Sequence, residues 1–367
     1  MPSAKYDAST GKSTMKQKRY NVAVVGATGA VGTEMLHVLA QRRFPVKGIR
    51  LLASARSEGR RVSFNGSTHR VEELRARSFD GIDVALFSAG ASRSLEFALE
   101  AVRRGALVVD NSSAFRIDPK VPLVVPEVNP QALTRHRGLI ANPNCSTIIM
   151  LVPLAPLHRA ACIKRIVVST YQSVSGAGAK AMAQLYEETK QALRQFQVSS
   201  SKFQVRPKLE TRNSKRETVL PKQIAFNVIP QVDVFLDDGS TEEEMKMVHE
   251  TRKILEEPRL PVTATCVRVP VFLAHSEAVW IETERPLSVE RARRLLQQAP
   301  GVKLVDQPSA GAYPLPIDAG GRDEVLVGRL RRDASVPHGL ALWVSGDNLR
   351  KGAATNAVQI VELLVNR

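Results

Sequence analysis

The sequence predicts an α/β fold in two parts: a parallel sheet flanked by helices over residues 20–145, then an α+β domain with a mostly antiparallel sheet over 146–345. Three observations predict it. Near the start, a Val-rich apolar run, a glycine-rich turn and an amphipathic stretch follow one another, the order of a strand–turn–helix unit. Short apolar runs then alternate with helical stretches up to residue 142, as in a parallel sheet with crossover helices. Beyond residue 146 longer strand-like runs mix with helices in no fixed alternation.

With 367 residues and 43% hydrophobic composition, the chain can bury a sizeable core divided between two domains. No apolar run reaches 18 residues, which argues against a membrane span. Residues 1–19 are polar and Lys-rich without an apolar segment; a disordered tail is expected there rather than a secretory signal. Cys145, Cys162 and Cys266 stand far apart with no Cys-x-x-Cys pair, so neither zinc nor a disulfide framework is expected, and a reducing cytoplasm fits. The net charge of +16 is spread along the chain in pairs such as Arg42-Arg43 and Arg293-Arg294. With no basic stripe and no nucleic-acid motif, a solvated surface that steers anions is expected, and no nucleic-acid partner.

The first unit is Arg19–Val25, then Gly26-Ala27-Thr28-Gly29-Ala30-Val31-Gly32, then a helix from Thr33 to Gln41. The spacing G-x-x-G-x-x-G departs from G-x-G-x-x-G, but it sits between a strand and a helix. There glycines let backbone approach a pyrophosphate at a helix N-terminus. This makes a Rossmann-type dinucleotide site, with Gly26, Thr28, Gly29, Ala30 and Val31 as candidate contacts; the alternative is a plain strand–helix turn. The next strand, Gly48–Ala53, leads into Ser54-Ala-Arg56-Ser57. No acid lies between Glu34 and Glu58, where an NAD enzyme places its ribose-binding carboxylate. Arg56 and Ser57 suit a 2′-phosphate instead, which points to NADP(H), unless Arg56 is an exposed loop cation.

Strands at Asp83–Phe87 and Ala106–Asp110, a helix at Arg93–Arg104, and the runs Leu123–Asn129 and Leu139–Asn142 complete this domain. Cys145 follows the last run and opens a helical stretch, Ser146–Leu157, that Pro153 and Pro156 should disturb. A helix N-terminus lowers a thiol pKa and makes a better nucleophile, although buried inert cysteines are commoner than reactive ones.

Six segments occur in order: Gly26–Gly32, Ser54–Ser57, Asn111-Ser-Ser-Ala-Phe-Arg116, Asn142-Pro-Asn144-Cys145-Ser-Thr147, Gln172-Ser-Val-Ser175-Gly176-Ala-Gly178 and Arg268-Val-Pro-Val-Phe-Leu-Ala-His275. Together they resemble the aspartate-semialdehyde dehydrogenase family, from about residue 20 to the C-terminus. The resemblance implies a nucleotide domain joined to a glyceraldehyde-3-phosphate-dehydrogenase-like catalytic and dimerisation domain, with the C-terminal segment 346–367 returning to the first. It implies reduction of β-aspartyl phosphate by NADPH to aspartate semialdehyde and inorganic phosphate, on the route to lysine, threonine, methionine and isoleucine. A homodimer or dimer of dimers through the second domain is also implied.

By the same resemblance Cys145 forms a thioester and His275 is the general acid/base, its ordinary pKa of about 6.5 suiting proton traffic. Gln172 orients the acyl group. Arg268 grips the substrate carboxylate with its planar fork. Glu243 meets the substrate ammonium, Lys246 and Arg116 the phosphate, with Asn144 beside them. Ser175, Gly176 and Asn348 are further NADP contacts. Without the family, Glu243 and Lys246 read as an i,i+3 ion pair on an acidic helix start, and Glu242 and Glu244 leave the register open.

Strands in the second domain are expected at Arg165–Gln172, Ala225–Val228, Val262–Val271, Ala278–Thr283, Val325–Leu330 and Leu340–Val344, and helices near Ala179–Phe196, Thr241–Glu256 and Val289–Ala299. The Lys/Arg-rich stretch Val198–Gln223 is expected to be exposed, and a final helix to span Lys351–Asn366. Two rivals remain: an N-acetyl-glutamyl-phosphate reductase-like enzyme, and a non-catalytic relative, which should have lost the thiol, the histidine or the arginine.

Overall fold

The computed structural model describes residues 18–195, 198–199, 202–203 and 219–365. Most of the expected tail and much of the stretch 198–223 lie outside the described residues. Arg19, taken as the end of that tail, is described and donates to Val46 O at 2.7 Å.

The first sheet holds seven strands, β1 (Tyr20–Val25), β2 (Val46–Ala53), β3 (Arg61–Phe64), β4 (Ser67–Glu73), β5 (Val84–Phe87), β6 (Leu107–Asp110) and β7 (Leu139–Ala141), in the order β3-β4-β2-β1-β5-β6-β7. All neighbours pair in parallel except β3 and β4. The β3–β4 hairpin escapes the apolar-run reading because its strands are half polar. Its signal was the Asn65-Gly66 pair, both at positive φ (48° and 77°), as a two-residue hairpin turn needs. Helices α1 (Ala30–Gln41) and α2 (Ala91–Arg103) supply crossovers.

Helix α3 (Cys145–Ala161) leads from β7 into the second domain and does not break at its prolines. Pro153 and Pro156 each remove one backbone bond. Yet nearly every residue from Ser146 to Leu157 is buried, so packing on all sides outweighs the local cost.

The second domain adds β8 (Ile163–Gln172), α4 (Ala179–Gln195), the short pair β9 (Val198–Ser199) and β10 (Lys202–Phe203), α5 (Glu242–Leu255), β11 (Val262–Arg268), β12 (His275–Thr283), α6 (Val289–Gln298), β13 (Val302–Leu304), α7 (Pro316–Ala319), β14 (Val325–Asp333) and β15 (Gly339–Gly346). Its six-stranded sheet runs β11-β8-β12-β15-β14-β13. The three central pairings are antiparallel; the two edge pairings are parallel. The run Ala225–Val228 forms no strand. Phe226 sits at φ 56°, which breaks an extended run, and pairing is confined to one bridge between Ile229 and Arg268. A π-turn over Arg350–Ala354 precedes α8 (Thr355–Val365). The α8 residues Val358 and Val361 share a core cluster with Val22, Val24 and Leu36 of the first domain.

Candidate active site

The glycine turn ends β1. Gly26 has φ +87°, and a Cβ there would lie 2.3 Å from Ser88 O; one on Gly32 would lie 2.1 Å from Gly26 O. The first and third glycines are therefore sterically demanded. Gly32, left out of the candidate contacts above, makes the tight turn possible. Gly29 caps α1, whose first turn carries neither an acid nor a side-chain cap. Its free N–H groups suit a pyrophosphate, so the turn fits a dinucleotide. Thr28 Oγ1 donates to Ser57 Oγ at 3.4 Å, tying this turn to the 3-10 turn Ala55–Ser57 at the end of β2, where Arg56 is exposed.

A cleft of about 690 Å³ opens beside this loop, lined by Val31 and Arg116 from the first domain and by Gln172, Glu243, Lys246 and Arg268 from the second. Cys145 lies on its wall at the first turn of α3. Asn144 caps that helix, its Oδ1 accepting from Ser146 N and Thr147 N at 3.0 and 3.2 Å.

Three strand ends explain how distant residues meet. Gln172 ends β8, Arg268 ends β11 in parallel register with it, and His275 begins antiparallel β12 at the same end of the sheet. Gln172 Nε2 donates to Ser146 Oγ at 3.0 Å and to Glu243 Oε1 at 3.1 Å. Asn144 Nδ2 donates to the same Glu243 oxygen at 2.9 Å.

The glutamate register left open by the sequence is visible here. Glu242 is exposed, and Glu244 closes a capping box with Thr241 and accepts from Cys266 N at 2.9 Å. Glu243 is buried and faces the cleft. Lys246 Nζ lies 2.5 Å from Asp233 Oδ2 and 3.6 Å from Glu243 Oε2. Burial acts most strongly on this ammonium, but Glu243 and Asp233 together outweigh it and raise its pKa. Asp233, in an irregular segment, had no sequence signal.

Arg268 Nη1 donates to Ser173 O at 2.8 Å, while its buried Nε has no partner among the described residues. That leaves a guanidinium donor free for a carboxylate. His275 is fully buried. Its Nδ1 accepts from Ser173 N–H at 3.1 Å and lies 3.0 Å from Ser173 Oγ. A backbone N–H can only donate, so this bonding assigns the ring proton to Nε2, which has no partner among the described residues. Burial, then Arg268, push the imidazole pKa well below 6.5, so His275 is neutral here rather than poised near its ordinary value.

Asn348 Oδ1 accepts from Ser175 Oγ at 3.0 Å, Ser173 Oγ at 3.2 Å and Ala274 N at 3.1 Å, bracing the histidine loop. A Cβ on Gly176 would come within 3.0 Å of Arg268 Nη1 and 3.2 Å of His275 Nε2. Ser175, Gly176 and Asn348 also line the cleft.

The thiol departs from expectation. Burial, then the Glu243 carboxylate, push Cys145 up to about 12 against the opposing pull of Arg116, Arg268 and the Ser146 N–H. In this state desolvation by the cleft wall outweighs the helix terminus, although the residue retains some exposure.

Glu277 lies one row below His275 on the same face of β12, fully buried, its oxygens without partners among the described residues. Burial holds its carboxyl well above the usual range. A carboxyl with a raised folded-state pKa stabilises below its unfolded value of about 4.3 and loses that contribution as pH rises toward the folded value. Glu277→Gln is therefore expected to raise Tm more at pH 8 than at pH 5. Thermal melts at both pH values check this, and an equal shift at both counts against it.

Among proteins of known family, the semialdehyde dehydrogenase NAD-binding domain model matches residues 21–136 and the semialdehyde dehydrogenase dimerisation domain model residues 154–351. Aspartate-semialdehyde dehydrogenase of Aquifex aeolicus is 52% identical over 349 residues, 94% of this chain and 98% of that one. The Bacillus subtilis enzyme is 50% identical over 345 residues, 94% and 97% of the two chains. The crystal structure of aspartate semialdehyde dehydrogenase II from Vibrio cholerae complexed with ASA superposes with a TM-score of 0.87 at 48% identity, covering 95% of this chain and 99% of that one. With a glycine turn shaped for a dinucleotide beside a cleft that gathers a thiol, an arginine and a buried histidine, and with this degree of likeness along almost its whole length, the chain belongs to the aspartate-semialdehyde dehydrogenase family.

Proposed function

We propose that the chain carries out NADPH-dependent reduction of L-aspartyl 4-phosphate to L-aspartate 4-semialdehyde by way of a thioester on Cys145. The observation that carries the reading is the convergence, in one cleft, of a thiol at a helix N-terminus, an arginine with an unengaged donor and a carboxylate that can meet an ammonium. As Cys145 Sγ attacks the acyl carbon and the C–O bond to phosphate breaks, the thiol proton passes to the departing phosphate, and inorganic phosphate leaves. NADPH supplies the hydride. His275 Nε2–H donates to the oxygen that becomes anionic as the carbonyl carbon is attacked. The carbon–sulfur bond then breaks, the aldehyde departs and the thiolate takes a proton from solvent, which restores the thiol. Gln172 orients the acyl group, Arg268 holds the α-carboxylate and Glu243 the ammonium. Lys246 and Arg116 receive the phosphate, with Asn144 beside them.

Glu243 also favours a free amino acid over an N-acetylated substrate, whose amide carries no charge to pair with it. The solved Vibrio cholerae relative, a complex with ASA, supports the same substrate. The test is phosphate-dependent reduction of NADP+ with aspartate semialdehyde, compared with the N-acetylated glutamate analogue. Preference for the analogue overturns the substrate assignment.

NADP(H) is the proposed cofactor, held by Gly26, Thr28, Gly29, Ala30 and Val31 at the pyrophosphate, Arg56 and Ser57 at the 2′-phosphate, and Ser175, Gly176 and Asn348 toward the cleft. Arg56→Ala is expected to raise the NADPH KM roughly tenfold through loss of a charge-assisted contact, with little change for NADH. Steady-state kinetics with both cofactors decide it, and equal effects sink the assignment.

Assembly as a homodimer or dimer of dimers through the second domain belongs to the same reading. It is supported by the dimerisation-domain match and by exposed apolar residues such as Tyr171, Tyr313, Leu315 and Ile317. A cytoplasmic location is proposed from the three free thiols. No helix among the described residues is long and apolar enough to cross a membrane.

A further inference from the structure

Helix α5 carries a polar stripe that the reaction described above uses only in part. Glu243, Lys246, Glu250 and Lys253 follow at intervals of three, four and three, which places them on one helix face. The first two belong to the cleft. Glu250 is fully buried. Its Oε1 accepts from Arg116 Nη1 at 3.1 Å and its Oε2 from the backbone N–H of Asn144 at 2.6 Å. One turn on, Lys253 Nζ donates to the carbonyl oxygens of Arg116, Asp118 and Val121 at 2.7, 2.7 and 2.8 Å. One helix of the second domain thus grips both the side chain and the backbone of an arginine in the first.

We infer that Glu250, with Lys253 behind it, is a positioning residue that aims Arg116 at the phosphate of the substrate and sets the peptide ahead of Cys145. The inference rests on the reading of Arg116 as a phosphate ligand. A guanidinium has five N–H donors. In Arg116 one goes to Glu250, one to Asn142 O at 2.9 Å and one to Asn111 O at 2.9 Å. Two remain uncommitted to any described residue, on a side chain that lines the cleft. The two carbonyls and the carboxylate fix the plane of the fork, so the free donors meet an incoming oxyanion without a reorientation cost. The same carboxylate fixes the Asn144 peptide, so the arginine and the start of the nucleophile helix are referred to one point. Both partners of Glu250 are donors. A glutamine there offers one oxygen and one NH2 group, and must leave one donor facing another.

The experiment measures KM for inorganic phosphate and for NADP+ in the oxidative direction, on full-length protein, for E250Q, R116A, the R116A/E250Q double variant and K253M. E250Q is expected to raise phosphate KM at least about tenfold, as loss of an aligned charge-assisted contact does, with NADP+ KM changed less than about twofold. K253M, which loosens the same loop from behind, is expected to shift phosphate KM in the same direction. In the R116A background E250Q should add little further rise, because it acts through that arginine. A normal phosphate KM in both E250Q and K253M, beside an impaired R116A, overturns the inference alone. So does a full additional effect of E250Q on top of R116A. A normal phosphate KM in R116A overturns the phosphate-site reading of Arg116, and the inference with it. If E250Q does not fold, K253M and R116A still decide the matter.

Discussion

Cys145→Ala lowers kcat by at least about 10,000-fold, as expected when a covalent route is removed and the remaining groups act alone, while NADP+ binding changes less than about twofold. The cofactor turn lies on β1 and α1, and none of its close contacts involves the thiol. A single-turnover mixture of wild-type protein and aspartyl phosphate, quenched in acid, should yield a peptide bearing the acyl group at Cys145; the alanine variant should yield none. Burial and Glu243 raise this thiol, so in the free protein alkylation by iodoacetamide should accelerate with pH through pH 9 without levelling. The sign follows from the reactive species: a raised pKa means the thiolate is scarce at neutral pH and grows tenfold per unit. An alanine variant that turns over normally ends the covalent mechanism. An alkylation curve that levels below pH 8 shows that the helix terminus outweighs desolvation after all.

Arg268→Leu is the second large effect. The side chain is almost wholly buried, its Nη1 committed to Ser173 O and its Nε without a partner among the described residues. A substrate carboxylate facing leucine loses both its charge partner and its hydrogen bonds. Truncating one side of such a buried pair costs about 2–5 kcal/mol, so kcat/KM for aspartate semialdehyde should fall by about 30- to 5,000-fold. Arg268→Lys keeps the charge but not the fork and should fall between the two. The decisive control is 3-aminopropanal, the substrate without its carboxylate. Wild type should discriminate strongly against it and Arg268→Leu hardly at all. Undiminished discrimination in the variant removes Arg268 from the carboxylate role.

Much of this site was legible because its parts are local. The glycine turn works through backbone conformation at Gly26 and close approach at Gly32, and both demands are met within a few residues or one neighbouring strand. The inner strands β5 and β6 of the first sheet are short and buried on both faces, so they stand out as apolar runs. What escaped was marked by weak or distant signals. The β3–β4 hairpin has half-polar strands, and Ala225–Val228 looked extended until a left-handed Phe226 turned it. The prolines in α3 should disturb a helix in water but not one enclosed by the core. Glu250 stands seven residues after Glu243, and the repeated E-x-x-K spacing was a usable sign of one continuous polar face. Asp233 and Glu277 offered no sign at all.

By itself, then, the sequence determined the strand–turn–helix start, the location of the thiol at a helix N-terminus, the want of an acid between Glu34 and Glu58 and the residue types that the chemistry needs. These depend on neighbours in the chain. The tertiary structure alone decided that the shared end of β8, β11 and β12 sets Gln172, Arg268 and His275 side by side, that Glu243 rather than its two neighbours faces the cleft, and that His275 is neutral. It also reversed the expected acidity of Cys145. Those outcomes turn on burial and on strand register between residues as much as a hundred positions apart, as Ser173 and His275 are 102 apart. Desolvation depends on what packs around a group, which no local run of residues specifies.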